Sequence, residues 1–300
     1  MGEQTNISWC DATFNPWRGC TKVSDGCRHC YAEQLSARNP AVLGSWGPRG
    51  SRAPAAESCW RQLRKWNQAA AQEGVRRRVF CASLADVFEG DETMPAESRP
   101  IVHAARGRLW REVEACLWLD FLLLTKRPEN VAAMVPASWM AGAWPRNAWI
   151  GASAEDQPNL KQRAPHLLAL PAPVRFLSCE PLLGPLDLSQ VMRWGGGWRG
   201  VDWVIVGGES GSHARPLDIA WARSIVGQCR AAVVACFVKQ LGARPVLAEA
   251  TLAEWPGHVR FTGDGPGANR GRVILAHRSG ADPAEWPADL RVQQWPEVGR

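Results

Sequence analysis

Residues 202–238 read DWVIVGGESGSHARPLDIAWARSIVGQCRAAVVACFV. Two short apolar runs, Asp202–Val206 and Val233–Val238, flank a stretch from Asp218 to Cys229 with helical spacing of its apolar residues. Continuous apolar runs of this length, bounded by polar or Gly residues, are expected of parallel strands buried on both faces. The segment therefore predicts a strand, a helix and a second strand, joined by a right-handed crossover. Five more runs of the same kind lie upstream: Asn6–Cys10, Val79–Leu84, Asp120–Thr125, Ala148–Ala152 and Val174–Cys179. Between them Trp60, Leu63 and Trp66 space as one helical face, and so do Ile101, Ala105, Leu109, Val113 and Cys116. Pro95 and Pro100 fall near the start of the second of these helices, where proline is tolerated. Alternating strands and helices give an α/β class, read as a full or partial (β/α) barrel of about six to seven parallel strands.

Length and composition agree with a large packed core. The chain has 300 residues, 46% of them hydrophobic, and its 28 Gly and 22 Pro are too few for low-complexity disorder. Disordered and fibrous classes are excluded. No apolar run reaches the roughly 18 residues of a membrane span, and the first residues carry no basic-then-apolar leader. The expectation is a cytoplasmic protein with no membrane partner. The net charge is +6, and arginine dominates it. That permits an anionic partner without requiring one, and the runs Arg76–Arg78 and Arg61/Arg64/Lys65 read as solvated helix faces. Residues 1–245 form the expected barrel, with a Gly-, Pro- and Ser-rich insertion at 39–58 that is a lid or a loop. Residues 246–300 read as an irregular extension.

The sharpest chemical feature is Cys20-Thr-Lys-Val-Ser-Asp-Gly-Cys27-Arg-His-Cys30, directly after Asn15-Pro16-Trp17-Arg18-Gly19. Three thiols within eleven residues, on a loop punctuated by Gly19 and Gly26, can converge on one metal or cluster. Three thiolates leave one iron of a cubane open to bind and polarise a small molecule. Zinc is the rival, with Cys10, His29 or a distant cysteine as fourth ligand. A loop leaving the C-terminal end of the first barrel strand sits where such barrels keep their active sites, which favours the cluster. The remaining cysteines are more consistent with core filling than with disulfides: Cys81, Cys116, Cys229 and Cys236 lie on apolar faces, and Cys10 and Cys59 are left open.

Asn15-Pro16-Trp17 with the three-cysteine loop is followed by Leu124-Thr125-Lys126-Arg127-Pro128 and Ser178-Cys179-Glu180-Pro181-Leu182-Leu183-Gly184-Pro185. Then come Gly207-Gly208-Glu209-Ser210-Gly211 and Val238-Lys239-Gln240-Leu241-Gly242. In this ordered set, over residues 5–245, the chain resembles the phage-associated three-cysteine-motif family, described as radical-SAM-like. The resemblance implies a barrel of the radical SAM type, a [4Fe-4S] cluster on Cys20, Cys27 and Cys30, and S-adenosyl-L-methionine on the free iron. It also implies an external electron donor and a partner protein named for the motif. Most radical SAM enzymes have Cys-x3-Cys-x2-Cys, whereas six residues separate Cys20 from Cys27 here.

Polar residues just past barrel strands face the site. Ser83, Asp86, Ser153, Glu155, Gly207, Gly208 and Glu209 are accordingly read as cofactor-binding. Ser153 or Glu155 would serve the ribose hydroxyls, and the two glycines would permit close backbone approach. Lys126, Glu180 and Lys239 are read as catalytic, with Lys126, Arg127 and Lys239 suited to a carboxylate or phosphate. Cys179, the fourth catalytic candidate, would donate a hydrogen atom or be alkylated. The plainer alternatives are Lys/Arg–Glu bridges in the barrel mouth and a small buried thiol at 179. Trp194-Gly195-Gly196-Gly197-Trp198 offers indoles for base stacking. The leading expectation is reductive cleavage of S-adenosylmethionine, the 5′-deoxyadenosyl radical then taking hydrogen from a nucleic-acid base or nucleotide. The alternatives are a zinc- or cluster-stabilised nucleic-acid or protein binding module without turnover, and a cluster enzyme that uses no S-adenosylmethionine.

Overall fold

The computed structural model describes residues 5–192, 200–248, 253, 255, 260–262 and 270–297. In chain order it contains β1 (Ala12–Thr13), β2 (Trp17–Arg18), α1 (Tyr31–Ser36), α2 (Pro40–Leu43), β3 (Ala53–Pro54) and α3 (Glu57–Glu73). Next come β4 (Arg77–Cys81), α4 (Arg99–Ala115), β5 (Leu119–Thr125), α5 (Val131–Met134), β6 (Ala148–Ser153) and α6 (Gln157–Leu168). The chain continues with β7 (Arg175–Cys179), β8 (Trp203–Gly207), β9 (Leu217–Asp218), α7 (Ile219–Ala231), β10 (Ala235–Gln240), β11 (Pro245–Ala248), β12 (Arg260–Thr262) and β13 (Arg270–Ile274). Seven parallel strands form one sheet in the order β1-β4-β5-β6-β7-β8-β10, an α/β partial barrel. The chain divides into two compact units, residues 1–152 with 165–175, and residues 153–164 with 176–300.

Six of the seven expected strands occur within a few residues of their apolar runs, and the first is displaced. Asn6–Cys10 forms a turn, with the Cys10 amide donating to the Ile7 carbonyl at 3.2 Å. Trp9 and Cys10 are buried, so their apolar character serves packing, not ladder pairing. The strand itself is β1, whose Ala12 and Thr13 stand opposite Val79 and Phe80 of β4.

In the first unit α3 buries Trp60, Leu63, Trp66 and Ala70, and Phe14 meets Trp60 edge-on at 4.8 Å. Removing a side chain the size of Leu63 from water contributes roughly 1.5–3 kcal/mol. The helix ends at Gly74, whose left-handed φ of 68° lets its amide cap carbonyls of the last turn. Of the expected α4 face, Ala105, Leu109 and Val113 are buried and Cys116 is buried just past the helix, whereas Ile101 is half-buried, and α4 also buries Val102, Arg106, Trp110 and Glu112. Arg76–Arg78 do not lie on a helix face. They enter β4, where Arg76 pairs with Asp120, Arg77 with Glu73 and Arg78 with Asp11.

The 39–58 insertion is tied into the first unit. Its strand β3 pairs antiparallel with β2, and Arg52 is fully buried. In the second unit α7 starts from Asp218, whose carboxylate accepts the Ala220 amide at 3.0 Å as an N-cap. The segment read as irregular supplies β12 and β13, which with β11 and β9 make a four-stranded sheet in the order β12-β13-β11-β9. Among the described residues no helix is long and apolar enough to cross a membrane. The Trp194–Trp198 loop lies outside the described residues.

Candidate functional site

In the first unit the cysteine loop leaves β2 and is pinned to the C-terminal ends of β4 and β5. The Gly19 amide donates to the Leu84 carbonyl at 3.0 Å, just beyond β4. Gly19 has φ of 107°, and a Cβ there would stand 2.6 Å from the Ser51 carbonyl oxygen, so only glycine makes this entry. Beyond β5, Arg127 reaches back to the loop: Nη2 donates to the Thr21 carbonyl at 2.7 Å, and Nη1 lies 4.0 Å from Cys20 Sγ. The Thr21 hydroxyl donates to the Thr93 carbonyl at 2.7 Å and accepts from Arg52 at 2.9 Å. Tyr31, just past the last cysteine, donates to the Ser83 carbonyl at 2.9 Å.

Two buried carboxylates hold these arginines. Asp86 accepts from Arg127 Nη1 at 3.0 Å, from the Thr125 hydroxyl at 2.7 Å, and from the Lys126 and Phe88 amides at 3.1 and 3.0 Å. Glu89 takes Arg52 in a fork, 2.8 Å to Nε and 2.7 Å to Nη2, with both side chains at 0% exposure. Asp86 is thus engaged by the protein instead of facing a cofactor, and the Ser83 hydroxyl is held by Asn15 Nδ2 at 3.1 Å. Arg52 and Glu89 were not singled out by the sequence reading. The available signal was Asp86-Val87-Phe88-Glu89, two carboxylates inside an apolar run, which demand buried partners.

The thiols are not gathered. Among the described residues no three His, Cys, Asp or Glu side chains come together in a way that could hold a metal ion. Burial, reinforced by Glu89 and Asp86 and opposed by Arg127, holds the Cys20 thiol well above its ordinary range. Burial also raises that of Cys30, opposed first by backbone hydrogen bonds to Glu33 and Ala32 and last by Lys126. The donor set matches a thiolate-ligated group in residue type and in the charge around it, not in the positions of the thiols. All three thiols are free, and two cations flank them, where the negative charge of bound thiolates needs compensation.

In the second unit the strand-end residues form three separate pairs. Glu155 is fully buried and takes Arg163 Nη1 at 2.6 Å, and the same nitrogen donates to the Ser153 carbonyl at 2.9 Å. The carboxylate expected to bind ribose is therefore bound to α6. Glu209 is likewise clasped by Arg215, with Nη2 at 2.7 Å, Nε at 3.0 Å and the backbone amide at 2.8 Å. Glu180 stands 2.9 Å from Lys239 Nζ and accepts from the Ser178 hydroxyl at 3.3 Å. Lys239 lies at a register shift between Val238 and Gln240 in β10, the kind of irregularity that re-aims a side chain. This pair keeps partial exposure, 22% for Lys239 and 13% for Glu180, so it is the most accessible of the three.

The two glycines serve packing. A Cβ at Gly207 would meet Glu180 Oε1 at 2.6 Å, and one at Gly208 the Leu241 carbonyl oxygen at 2.6 Å. Cys179 is buried at the end of β7 with its thiol held well above the ordinary range by burial, then by Cys236, Glu180 and Glu155. It is a neutral core thiol in this structure. A cleft of about 550 Å³ in the first unit, lined by Asp91, His103, Arg106, Trp110 and Asn130 among others, contains no residue named from the sequence.

The buried thiols are expected to lower stability at alkaline pH. Burial keeps Cys81 and Cys179 protonated and pushes Cys116 up to about 11. Unfolded thiols release their protons near pH 8.5. A raised folded value means this contribution is complete below that pH and is lost as pH rises above it. The urea midpoint, measured under reductant, is expected to fall between about pH 9 and 11, and to fall less steeply in Cys179→Ala. A midpoint constant across that window would contradict the burial of these thiols.

Fold and site together define an α/β partial-barrel protein with a three-cysteine loop anchored at strand C-termini. A family model described as "Protein of unknown function (DUF5131)" matches residues 4–262. The match covers more than half of the chain, and the chain belongs to this family. No curated protein and no solved structure matches it.

Proposed function

We propose that the chain is an iron–sulfur enzyme of the radical SAM type, with Cys20, Cys27 and Cys30 as the cluster ligands. The observation that carries this reading is the three-thiol loop fixed at the ends of β4 and β5, with Arg127 against Cys20. When bound, a [4Fe-4S] cluster supplies the electron that cleaves S-adenosylmethionine, and an external donor replenishes it. The chain's own contribution is to hold the loop, to place Arg127 and Lys126 beside the thiolates, and to keep an acid–base pair, Glu180 and Lys239, partly open. The net charge of +6 is compatible with an anionic substrate, and the substrate read here is a nucleotide or a base within nucleic acid, whose phosphates carry the negative charge. The reading is tested by 5′-deoxyadenosine formation in anaerobically reconstituted protein. Wild type forms it and Cys27→Ala does not; equal formation in both overturns the cluster assignment.

A second reading is a zinc- or cluster-stabilised binding module without turnover, acting on nucleic acid or a neighbouring protein. It draws on the commitment of Asp86, Glu155 and Glu209 to buried arginine pairs, which fits a scaffold. Salt-dependent nucleic-acid binding without cleavage of S-adenosylmethionine would favour it.

A further inference from the structure

We infer that Arg127 is the positioning residue of the cysteine loop, fixing Cys20 through a four-charge buried network in which Arg52, Asp86 and Glu89 are the other members. The role toward a bound cluster rests on the function proposed above; the role toward the thiol itself does not.

Arg127 is 4% exposed, and its guanidinium is shared among Asp86 Oδ2 at 3.0 Å, the Thr21 carbonyl at 2.7 Å, Cys20 Sγ at 4.0 Å and Glu89 Oε1 at 3.9 Å. A planar fork is needed to reach a carboxylate, a carbonyl and a sulfur at once, and lysine has no such fork. Its orientation is set by the backbone as well, because its amide donates to the Thr125 hydroxyl at 2.9 Å while that hydroxyl donates to Asp86. From the other side Arg52, bound to Glu89, supports the Thr21 hydroxyl. Thr21 is thereby held at its carbonyl by one arginine and at its hydroxyl by the other, so the residue next to Cys20 cannot shift without breaking bonds to both. Two positive and two negative groups balance inside the network, which lets it stay buried without a net charge. Cys27 and Cys30 are held locally: Cys27 Sγ lies 4.0 Å from the Ser24 hydroxyl, and the Cys30 thiol is hydrogen-bonded to the backbone of Glu33 and Ala32. The arginine clamp therefore acts on the first cysteine, while the far end of the loop is tied separately through Tyr31, whose hydroxyl donates to the Ser83 carbonyl at 2.9 Å.

The test is iodoacetamide labelling of the reduced, iron-free protein, read cysteine by cysteine by mass spectrometry. Arg127→Lys is expected to speed labelling of Cys20 by about tenfold, the effect of losing one charge-assisted hydrogen bond on local opening. Labelling of Cys27 and Cys30 in the same molecules stays unchanged, a contrast that general loosening does not produce. Should Arg127→Lys fail to fold, the double variant Asp86→Asn with Arg127→Gln removes both charges together and is expected to give the same selective release. A Cys20 rate within about twofold of wild type in either folded variant overturns the inference. In reconstituted protein, Asp86→Asn leaves the guanidinium uncompensated beside sulfur, and the reduction potential is expected to rise; a fall overturns the electrostatic part. If wild type takes up no iron, the cluster reading fails, while the labelling result still decides the role of Arg127.

Discussion

Replacing Arg52 by methionine is expected to lower the unfolding free energy by about 3–5 kcal/mol, the cost of stranding a buried charge. Glu89 is 0% exposed and takes two hydrogen bonds from Arg52, at 2.8 and 2.7 Å. Its remaining neighbours, the Thr93 hydroxyl at 3.3 Å and Arg127 at 3.9 Å, do not replace that fork. Arg52 also donates to the Gly50 carbonyl at 2.6 Å, so the insertion loses an anchor along with the pair. The double variant Arg52→Met with Glu89→Leu removes both charges and is expected to recover much of the loss, since buried pairs exchanged for apolar groups are often near neutral. Urea unfolding of the three proteins measures this. A loss below about 1 kcal/mol in Arg52→Met would show that Glu89 is not buried as described.

The second large effect is chemical. Cys27→Ala is expected to abolish iron and sulfide uptake under anaerobic reconstitution, while the protein stays folded. Cys27 closes a single helical turn, Asp25–Cys27, and none of that turn's residues is buried, so its thiol is not part of the core. Cys59→Ala serves as the control, because Cys59 lies on α3, away from the loop in sequence, and is expected to keep full uptake. Wild type is expected to carry about four irons per chain, as three thiolates and one open iron require. A structural zinc would behave differently, since its binding energy is folding energy and Cys27→Ala would then lower the midpoint of unfolding. Metal analysis with a thermal melt separates the two.

The sheet was legible because parallel strands buried on both faces announce themselves as continuous apolar runs, as in Asp120–Thr125. The same rule failed at Asn6–Cys10, where Trp9 and Cys10 are buried in a turn. The strands of residues 246–300 were hidden because their partners are distant: β11 joins β9 and β13. The cysteine loop was legible from spacing. Its anchoring was not, because Arg127 finds Asp86 across 41 positions and Arg52 finds Glu89 across 37, and charge pairing over such separations leaves no local pattern. For the same reason Glu155 and Glu209 read as ligand carboxylates, although α6 supplies Arg163 to one and Arg215 returns to the other. Gly207 read as room for a ligand, and the room is filled by Glu180.

The central claim is that this loop holds an iron–sulfur cluster with an open iron. The most direct measurement is the EPR spectrum of anaerobically reconstituted, reduced protein, with and without S-adenosylmethionine. A [4Fe-4S]⁺ signal that shifts when S-adenosylmethionine is added is the predicted result; an EPR-silent, zinc-loaded protein would contradict it.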